Sequence, residues 1–243
     1  MRYMGGKFRQ GRAIADELRP YIDGETTYVE PFLGGANSAA RVARDCKPGH
    51  MILSDTIKPL VLFHEKCYNE GCEWLPLDVT REQFDQYKKD RPWDNPMTAW
   101  IGLGCTLIPD WFHSYFPYRL ESAKNGQRRT IDWLRNCDDV RFKCCSYDKL
   151  EIPDGAVVYC DPPYANSDAI KYAVGFDHDR FWDWVRQLSQ RCVVVCPTFN
   201  PPEDFLTVHD WGDTVAIKQT KGSTLTKRRV ESERLVRWKG GLK

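Results

Sequence analysis

Short apolar runs rich in β-branched residues recur along the chain, separated by longer segments whose apolar residues fall at helical spacing. The runs predict strands at Thr27–Glu30, Met51–Ser54, Val140–Cys144, Ala156–Cys160, Cys192–Cys196, Thr214–Lys218 and Ser232–Trp238. The intervening segments predict helices at Arg9–Tyr21, Ser38–Cys46, Lys58–Asn69, Arg81–Lys89, Asn125–Asn136 and His178–Ser189, with Asp177 as an N-cap. Buried runs alternating with amphipathic helices imply a parallel sheet covered by helices. The last two runs flank Gly222-Ser223-Thr224 and suggest a closing antiparallel hairpin.

The alternation lapses between Gly71 and Asn125, where no run has the character of a buried strand. This stretch interleaves aromatics (Trp74, Trp93, Trp100, Trp111, Phe112, Tyr115, Phe116, Tyr118) with Lys88, Lys89, Arg91, Arg119 and Lys124. The expected organisation is one α/β domain formed by residues 1–70 and 126–243, with a small helical insertion at 71–125. Aromatic and basic side chains together suit base stacking and phosphate contact, although most such aromatics are expected to form the insertion's own core.

Composition changes this picture little. The 243 residues carry 35 basic and 34 acidic side chains, so net charge alone does not point to a polyanion. A local basic cluster near the end, Lys218, Lys221, Lys227, Arg228 and Arg229, is the exception. Ten cysteines include no CxxC pair, and several sit in apolar strands, which fits buried reduced thiols better than a disulfide framework or a metal site. No apolar run approaches the length of a membrane span.

Two constellations carry chemistry. The first is Thr27-Thr-Tyr-Val-Glu-Pro-Phe-Leu-Gly-Gly-Ala-Asn-Ser38, which reads as strand, sharp turn and helix. Gly34 and Gly35 allow close backbone approach to a ligand, and Asn37 or Ser38 is placed to cap the helix. Neither a Walker-type phosphate loop nor a G-x-G-x-x-G fingerprint is present. Glu30 ahead of the glycines repels a pyrophosphate but suits a cation, such as the sulfonium and amino groups of S-adenosylmethionine. Asp55, ending the second strand, is placed either for ribose hydroxyls or to cap the next helix.

The second is Asp161-Pro162-Pro163-Tyr164, directly after the buried run Ala156–Cys160. Consecutive prolines cannot continue a sheet, so a stiff loop follows the strand's carboxyl end. It offers a carboxylate, the Pro162 carbonyl and an aromatic face. Two acceptors and a ring suit a planar base with an exocyclic amine. Each acceptor takes one amine hydrogen, which frees the nitrogen lone pair for direct attack on a methyl group, while Tyr164 stacks on a base flipped from the duplex. Adenine and cytosine both meet this description.

With these motifs, nearly the whole chain resembles the Dam-like (alpha-group) N6-adenine DNA methyltransferases, particularly short phage and prophage forms. Arg2-Tyr3-Met4-Gly5-Gly6-Lys7 resembles the family's N-terminal motif, Glu30–Gly35 its cofactor turn with Phe32 against the cofactor, and Asp55 its ribose-binding acid. Ser146 and Tyr147 fall where the family contacts the cofactor's adenine, and Asp161–Tyr164 is similar to its catalytic motif, with Asp161 also at the cofactor. Phe176–Trp182 resembles the helix start that follows, and Arg234-Leu235-Val236 the final strand. The chain departs from the family at Ala36, where many members have glycine, and at Cys196-Pro197-Thr198-Phe199, where relatives often carry Ser-Glu-Tyr.

The resemblance implies a Rossmann-like class I methyltransferase sheet of seven strands with its last strand reversed. It also implies S-adenosylmethionine as cofactor, no metal, duplex DNA with a flipped adenine as substrate, and a target-recognition role for 71–125. Lys88, Arg91, Arg119, Lys124, Lys227, Arg228 and Arg229 are the expected DNA contacts. A monomer acting on DNA in the cytoplasm of a bacterial host or phage-infected cell, in restriction protection or a related role, completes the expectation. Cytosine-N4 methylation, RNA adenine methylation and a non-catalytic DNA-binding protein on the same fold are the competing readings. A nicotinamide dehydrogenase lacks its glycine pattern.

Overall fold

The computed structural model describes residues 3, 6–108, 110–164, 175–212, 214–219, 225–230 and 232–242, with the backbone alone described at 214–219 and 225–230. Arg2, Met4 and Gly5 of the N-terminal motif, Lys221, the Gly222-Ser223-Thr224 turn and the side chains of Lys218, Lys227, Arg228 and Arg229 lie outside the described set.

The elements follow the predicted alternation. They are α1 (Gly11–Leu18), β1 (Thr27–Glu30), α2 (Asn37–Cys46), β2 (His50–Asp55), α3 (Lys58–Glu70), α4 (Arg81–Asp90), α5 (Met97–Ala99) and α6 (Leu120–Leu134). Then come β3 (Asp139–Cys144), β4 (Val157–Tyr159), α7 (His178–Leu188), β5 (Val193–Thr198), β6 (Phe205–Asp210), β7 (Thr214–Gln219), β8 (Leu225–Val230) and β9 (Arg234–Trp238). The strand order is β3-β2-β1-β4-β5-β9-β6, with β7-β8 as a separate pair. Strands β1 to β4 pair in parallel, whereas β9 runs antiparallel to both β5 and β6. This is a Rossmann-like mixed seven-stranded sheet with its last strand reversed.

One pairing differs from expectation. Thr214–Lys218 and Ser232–Trp238 do not form a hairpin with each other: β7 pairs with β8, Thr214 opposite Val230, and β9 lies between β5 and β6. The local partner Leu225–Val230 satisfies β7, which leaves the chain's last strand free for the more apolar β5 edge. Strand β6 was not anticipated, because its side chains are mostly exposed and lack a buried run.

The chain divides into two compact units, Met1–Val158 and Tyr159–Lys243. In the first, the middles of the inner strands are apolar, with Tyr28, Val29, Met51, Leu53, Val157 and Val158 buried. Helix α1 packs on α2, α2 on α6, and α3 on β2 and β3. Helix α4 begins with a reciprocal capping box: the Gln83 amide donates to Thr80 Oγ1 at 3.2 Å and the Thr80 amide to Gln83 Oε1 at 2.9 Å. Beyond it the aromatics form a core. Trp100 is fully buried, Phe84 packs against Phe112 and Tyr115, and the Trp111 and Phe112 rings lie so close to Gly102 that a β-carbon there would clash. Tyr118, 85% exposed, is the aromatic of this stretch most open to solvent.

In the second unit, Asp177 caps α7 as predicted, accepting the Arg180 amide at 3.0 Å. Arg186 grips Asp204 through two nitrogens at 2.7 and 3.0 Å. Trp238 donates to the same carboxylate at 3.0 Å. All ten thiols of the chain are free, and no helix among the described residues is long and apolar enough to cross a membrane.

Candidate active site

In the first unit the glycine turn is locked from several sides. Gly34 adopts φ +48° and Ala36 φ +56°, a left-handed kink that drops the chain from β1 into α2. Ala36 is the N-cap, and neither Asn37 nor Ser38 caps the helix. Ser38 instead donates its hydroxyl to Glu30 Oε1 at 2.5 Å, and the Tyr28 hydroxyl reaches Glu30 Oε2 at 2.7 Å. Glu30 is only 1% exposed, so its carboxylate acts first as an internal tie between β1 and α2 and supplies negative charge beneath the turn.

Asp55 combines both roles weighed from sequence. Its Oδ2 accepts the Gly34 amide at 2.9 Å and its Oδ1 the Ile57 amide at 3.0 Å, just ahead of α3. Burial pushes its carboxyl up, while the amides of Gly34, Ile57 and Thr56 pull it down.

Two further residues complete the turn. His64, on α3 and 0% exposed, shares a 3.0 Å bond between its Nε2 and the Gly34 carbonyl. Gln127 on α6 places its amide nitrogen 3.2 Å from His64 Nδ1. Because the Gln127 NH2 can only donate, Nδ1 accepts and Nε2–H donates. Burial holds the imidazole neutral, its pKa lowered to about 3.

Around the turn, the Tyr3 ring lies 3.1 Å from where a Gly34 β-carbon would stand, and Phe32 stacks on Tyr147 with centroids 5.5 Å apart. A β-carbon on Gly6 would meet Asn37 at 2.9 Å, so that residue must also be glycine or the loop must shift. Lys7 is buried, Gly35 is buried within the turn, and Ser146 opens the short 3-10 turn that carries Tyr147. A glycine turn between two strand-end carboxylates, with a paired aromatic surface nearby, has the chemistry that suits a cationic cofactor carrying a ribose and a planar base, such as S-adenosylmethionine.

In the second unit Asp161-Pro162-Pro163-Tyr164 follows β4, and the Cys160 amide bonds to the Val195 carbonyl of β5 at 3.0 Å. The Tyr164 hydroxyl lies 3.0 Å from Asp161 Oδ1 and 2.5 Å from Glu233 Oε1. Its ring meets Phe199 edge-on at 5.1 Å and 72°. Burial first, then the two carboxylates, raises the phenol well above its ordinary pKa. Glu233 had no signal in the sequence beyond being a polar residue just ahead of the final strand.

The expected DNA contacts separate. Lys88, Arg91 and Arg119 are exposed. Arg119 borders a cavity of about 360 Å³ together with Arg129, Tyr3, Phe8 and Trp133. The Arg129 guanidinium there lies 5.3 Å from the Phe8 ring and 5.7 Å from Trp133. Lys124 must be corrected: it is 8% exposed, and its ammonium donates to the Leu75 carbonyl at 2.9 Å and the Glu73 carbonyl at 3.2 Å. It pins the segment after α3 and has no free face for a phosphate. Lys227, Arg228 and Arg229 lie along β8, paired with Ile217, Ala216 and Val215.

The strand order, with the glycine turn after β1 and the proline loop after β4, is that of a Rossmann-like α/β protein with its candidate site at strand ends. The family model for the D12 class N6 adenine-specific DNA methyltransferases matches residues 3–92 and 112–195, and the chain belongs to that family. It therefore uses S-adenosylmethionine to methylate the 6-amino group of adenine in DNA. Among solved structures the chain is similar to a precorrin-6y C5,15-methyltransferase from Geobacter metallireducens GS-15 (7% identity, 94% of this chain and 87% of that one, TM-score 0.39). It is also similar to a tRNA methyltransferase from Aquifex aeolicus (8%, 96% and 69%, TM-score 0.39). An rRNA methylase from Streptococcus thermophilus is similar as well (7%, 93% and 95%, TM-score 0.36).

Proposed function

We propose that Asp161 and the Pro162 carbonyl accept the two amine hydrogens of an adenine flipped out of duplex DNA, and that Pro163 stiffens the loop holding Tyr164 against the base. The supporting observation is the position of Asp161 on a proline-stiffened loop immediately after a buried strand, with its Oδ1 engaged by Tyr164. Two fixed acceptors favour the charge that develops on nitrogen and orient its lone pair.

Glu30, Gly34, Gly35 and Asp55 hold the cofactor's polar groups, Phe32, Ser146 and Tyr147 its adenine, and Tyr3, Gly6 and Lys7 close over it. When bound, the cofactor supplies an electrophilic methyl on a sulfonium. The protein's own contribution is orientation, exclusion of water and acceptance of the amine hydrogens.

Residues 71–125 recognise the target sequence as an inserted subdomain of the catalytic domain formed by 1–70 and 126–243. Lys88, Arg91, Arg119, Lys227, Arg228 and Arg229 contact the phosphates. The enzyme acts as a monomer, on DNA in the cytoplasm.

The test is Asp161→Ala. Calorimetry should show cofactor binding retained, while methylation falls by at least about 10³-fold. Wild-type methylation by this variant overturns the assignment.

A further inference from the structure

On α6, Ser122, Gly126, Arg129 and Trp133 fall at helical spacing along one face, beside the buried stripe. All four line the cavity of about 360 Å³, which Asn37 and Ala40 of α2 border from the other side. Its lining holds two cations, Arg119 and Arg129, and no carboxylate.

The arginines of this region divide into two kinds. Three guanidinium groups lie over Trp133: Arg44 at 4.3 Å, Arg129 at 5.7 Å and Arg41 at 6.0 Å. Arg41 and Arg44 share the Asp45 carboxylate, at 2.5 and 2.6 Å. Arg129 is held instead by rings, Trp133 and Phe8, and Arg119 by Phe116 at 5.5 Å. Neither is ion-paired among the described residues. Rings fix the plane of a guanidinium without neutralising it, so its N–H fork stays charged and directional.

Gly126 is an independent observation. It sits in the interior of a 15-residue helix, where glycine lowers stability relative to alanine. Packing does not call for it, because a β-carbon there would meet nothing within 4 Å. Its effect is to leave bare backbone on the cavity wall, which is the use glycine serves where a ligand comes close.

We propose that this cavity seats one phosphate of the DNA substrate, taken by the Arg129 fork with Arg119 in the same lining. The proposal rests on the reading of Arg119 as a phosphate contact and deepens it. A phosphodiester has two unesterified oxygens that share one charge, and these match two parallel N–H groups of a guanidinium. Phe8, Arg119 and Arg129 are exposed, so a continuous strand can cross the opening with its phosphate turned inward. Tyr3 lines the cavity and also packs at Gly34, so a strand held here passes the glycine turn.

The test uses full-length Arg129→Gln, Arg129→Lys, Arg119→Gln and Gly126→Glu. Binding of a fluorescent duplex is read by anisotropy over a salt series, and cofactor affinity by calorimetry. Arg129→Gln should lower DNA affinity about five- to tenfold and the magnitude of the salt slope by about 1. The loss should be equal on unrelated sequences, because a phosphate carries no sequence information, and cofactor affinity should be kept. Arg129→Lys retains the charge and should retain the slope. Gly126→Glu extends into open space on a helix that glutamate favours over glycine. Its carboxylate should pair with Arg129 and lower DNA affinity at least as far.

Inorganic phosphate and adenosine monophosphate, titrated separately, should bind no tighter than about 1 mM. Micromolar binding of the mononucleotide that Arg129→Gln abolishes, with an unchanged DNA slope, overturns the proposal in favour of a free-nucleotide site. A loss confined to one DNA sequence overturns it as well, since a base is then being read. If Arg119→Gln lowers the slope and Arg129→Gln does not, the cavity site fails and the Arg119 contact stands. If neither lowers it, both fail, so the two failures are distinguishable.

Discussion

The glycine turn of the first unit and the Asp-Pro-Pro-Tyr loop of the second both present carboxylates at strand ends, yet they are built by opposite means. At the turn the carboxylates and the Gly34 peptide are tied from within. Glu30 is tied by Tyr28 and Ser38, the Gly34 amide by Asp55 and its carbonyl by His64. Such a site is pre-organised and its geometry is part of the core. The loop instead sets one phenol against two carboxylates on a segment stiffened by two prolines. The proposed binding role falls to the turn and the proposed chemistry to the loop.

This contrast is open to attack by substitution. Damage to the turn should appear as lost stability, and damage to the loop as lost rate at intact stability. The largest stability effect is expected at His64. His64→Ala removes the donor to the Gly34 carbonyl and a partner of the Gln127 amide and leaves a cavity, which should cost about 3 kcal/mol in denaturant unfolding. Tyr164→Phe should cost under about 1 kcal/mol by the same measure.

His64 also sets a pH dependence. Its folded pKa is near 3 against an ordinary value of 6.5, so between these values the unfolded chain binds more protons than the native one. The stability contributed by the neutral ring is present above pH 6.5 and is lost as pH falls towards 3. The loss should reach about 2 kcal/mol at pH 5. Unfolding curves at pH 7 and 5 should show it, and His64→Ala should lack that component.

On the DNA side, neutralising Lys227, Arg228 and Arg229 should lower affinity and reduce the salt slope of log K by up to about 3. An unchanged slope would mean that β8 does not meet phosphates. The smallest effect is expected at Ala36, whose φ of +56° is one that glycine adopts freely. Ala36→Gly relieves that strain but adds freedom to the unfolded chain, and should leave stability within about 0.5 kcal/mol of the wild type.

What could be read from the sequence follows from which interactions are local. Strands β1, β2, β4 and β5 announced themselves as apolar runs because their side chains are largely buried, and the loops after β1 and β4 carried glycine and proline signatures. The β7 pairing was misjudged because its partner is the adjacent β8, while the last strand finds its neighbours far away in the chain. Lys124 was misjudged through the start of α6. The helix begins at Leu120 rather than Asn125, and its buried positions are Leu120, Ala123, Lys124, Gln127, Thr130, Ile131 and Leu134. That is a helical stripe, and both Lys124 and Gln127 lie on it. Extending the period back to Leu120 would have marked Lys124 as structural and Gln127 as a core polar residue in need of a partner. Glu233 offered no comparable signal, because its role arises from the pairing of β5 with β9.

The central claim is that this chain methylates the 6-amino group of adenine through Asp161. Its most direct test is mass spectrometry of nucleosides from DNA incubated with S-adenosylmethionine and either the wild-type protein or Asp161→Ala. The account predicts N6-methyladenine from the wild type and none above background from the variant. N4-methylcytosine as the product, or equal N6-methyladenine from both proteins, would contradict it.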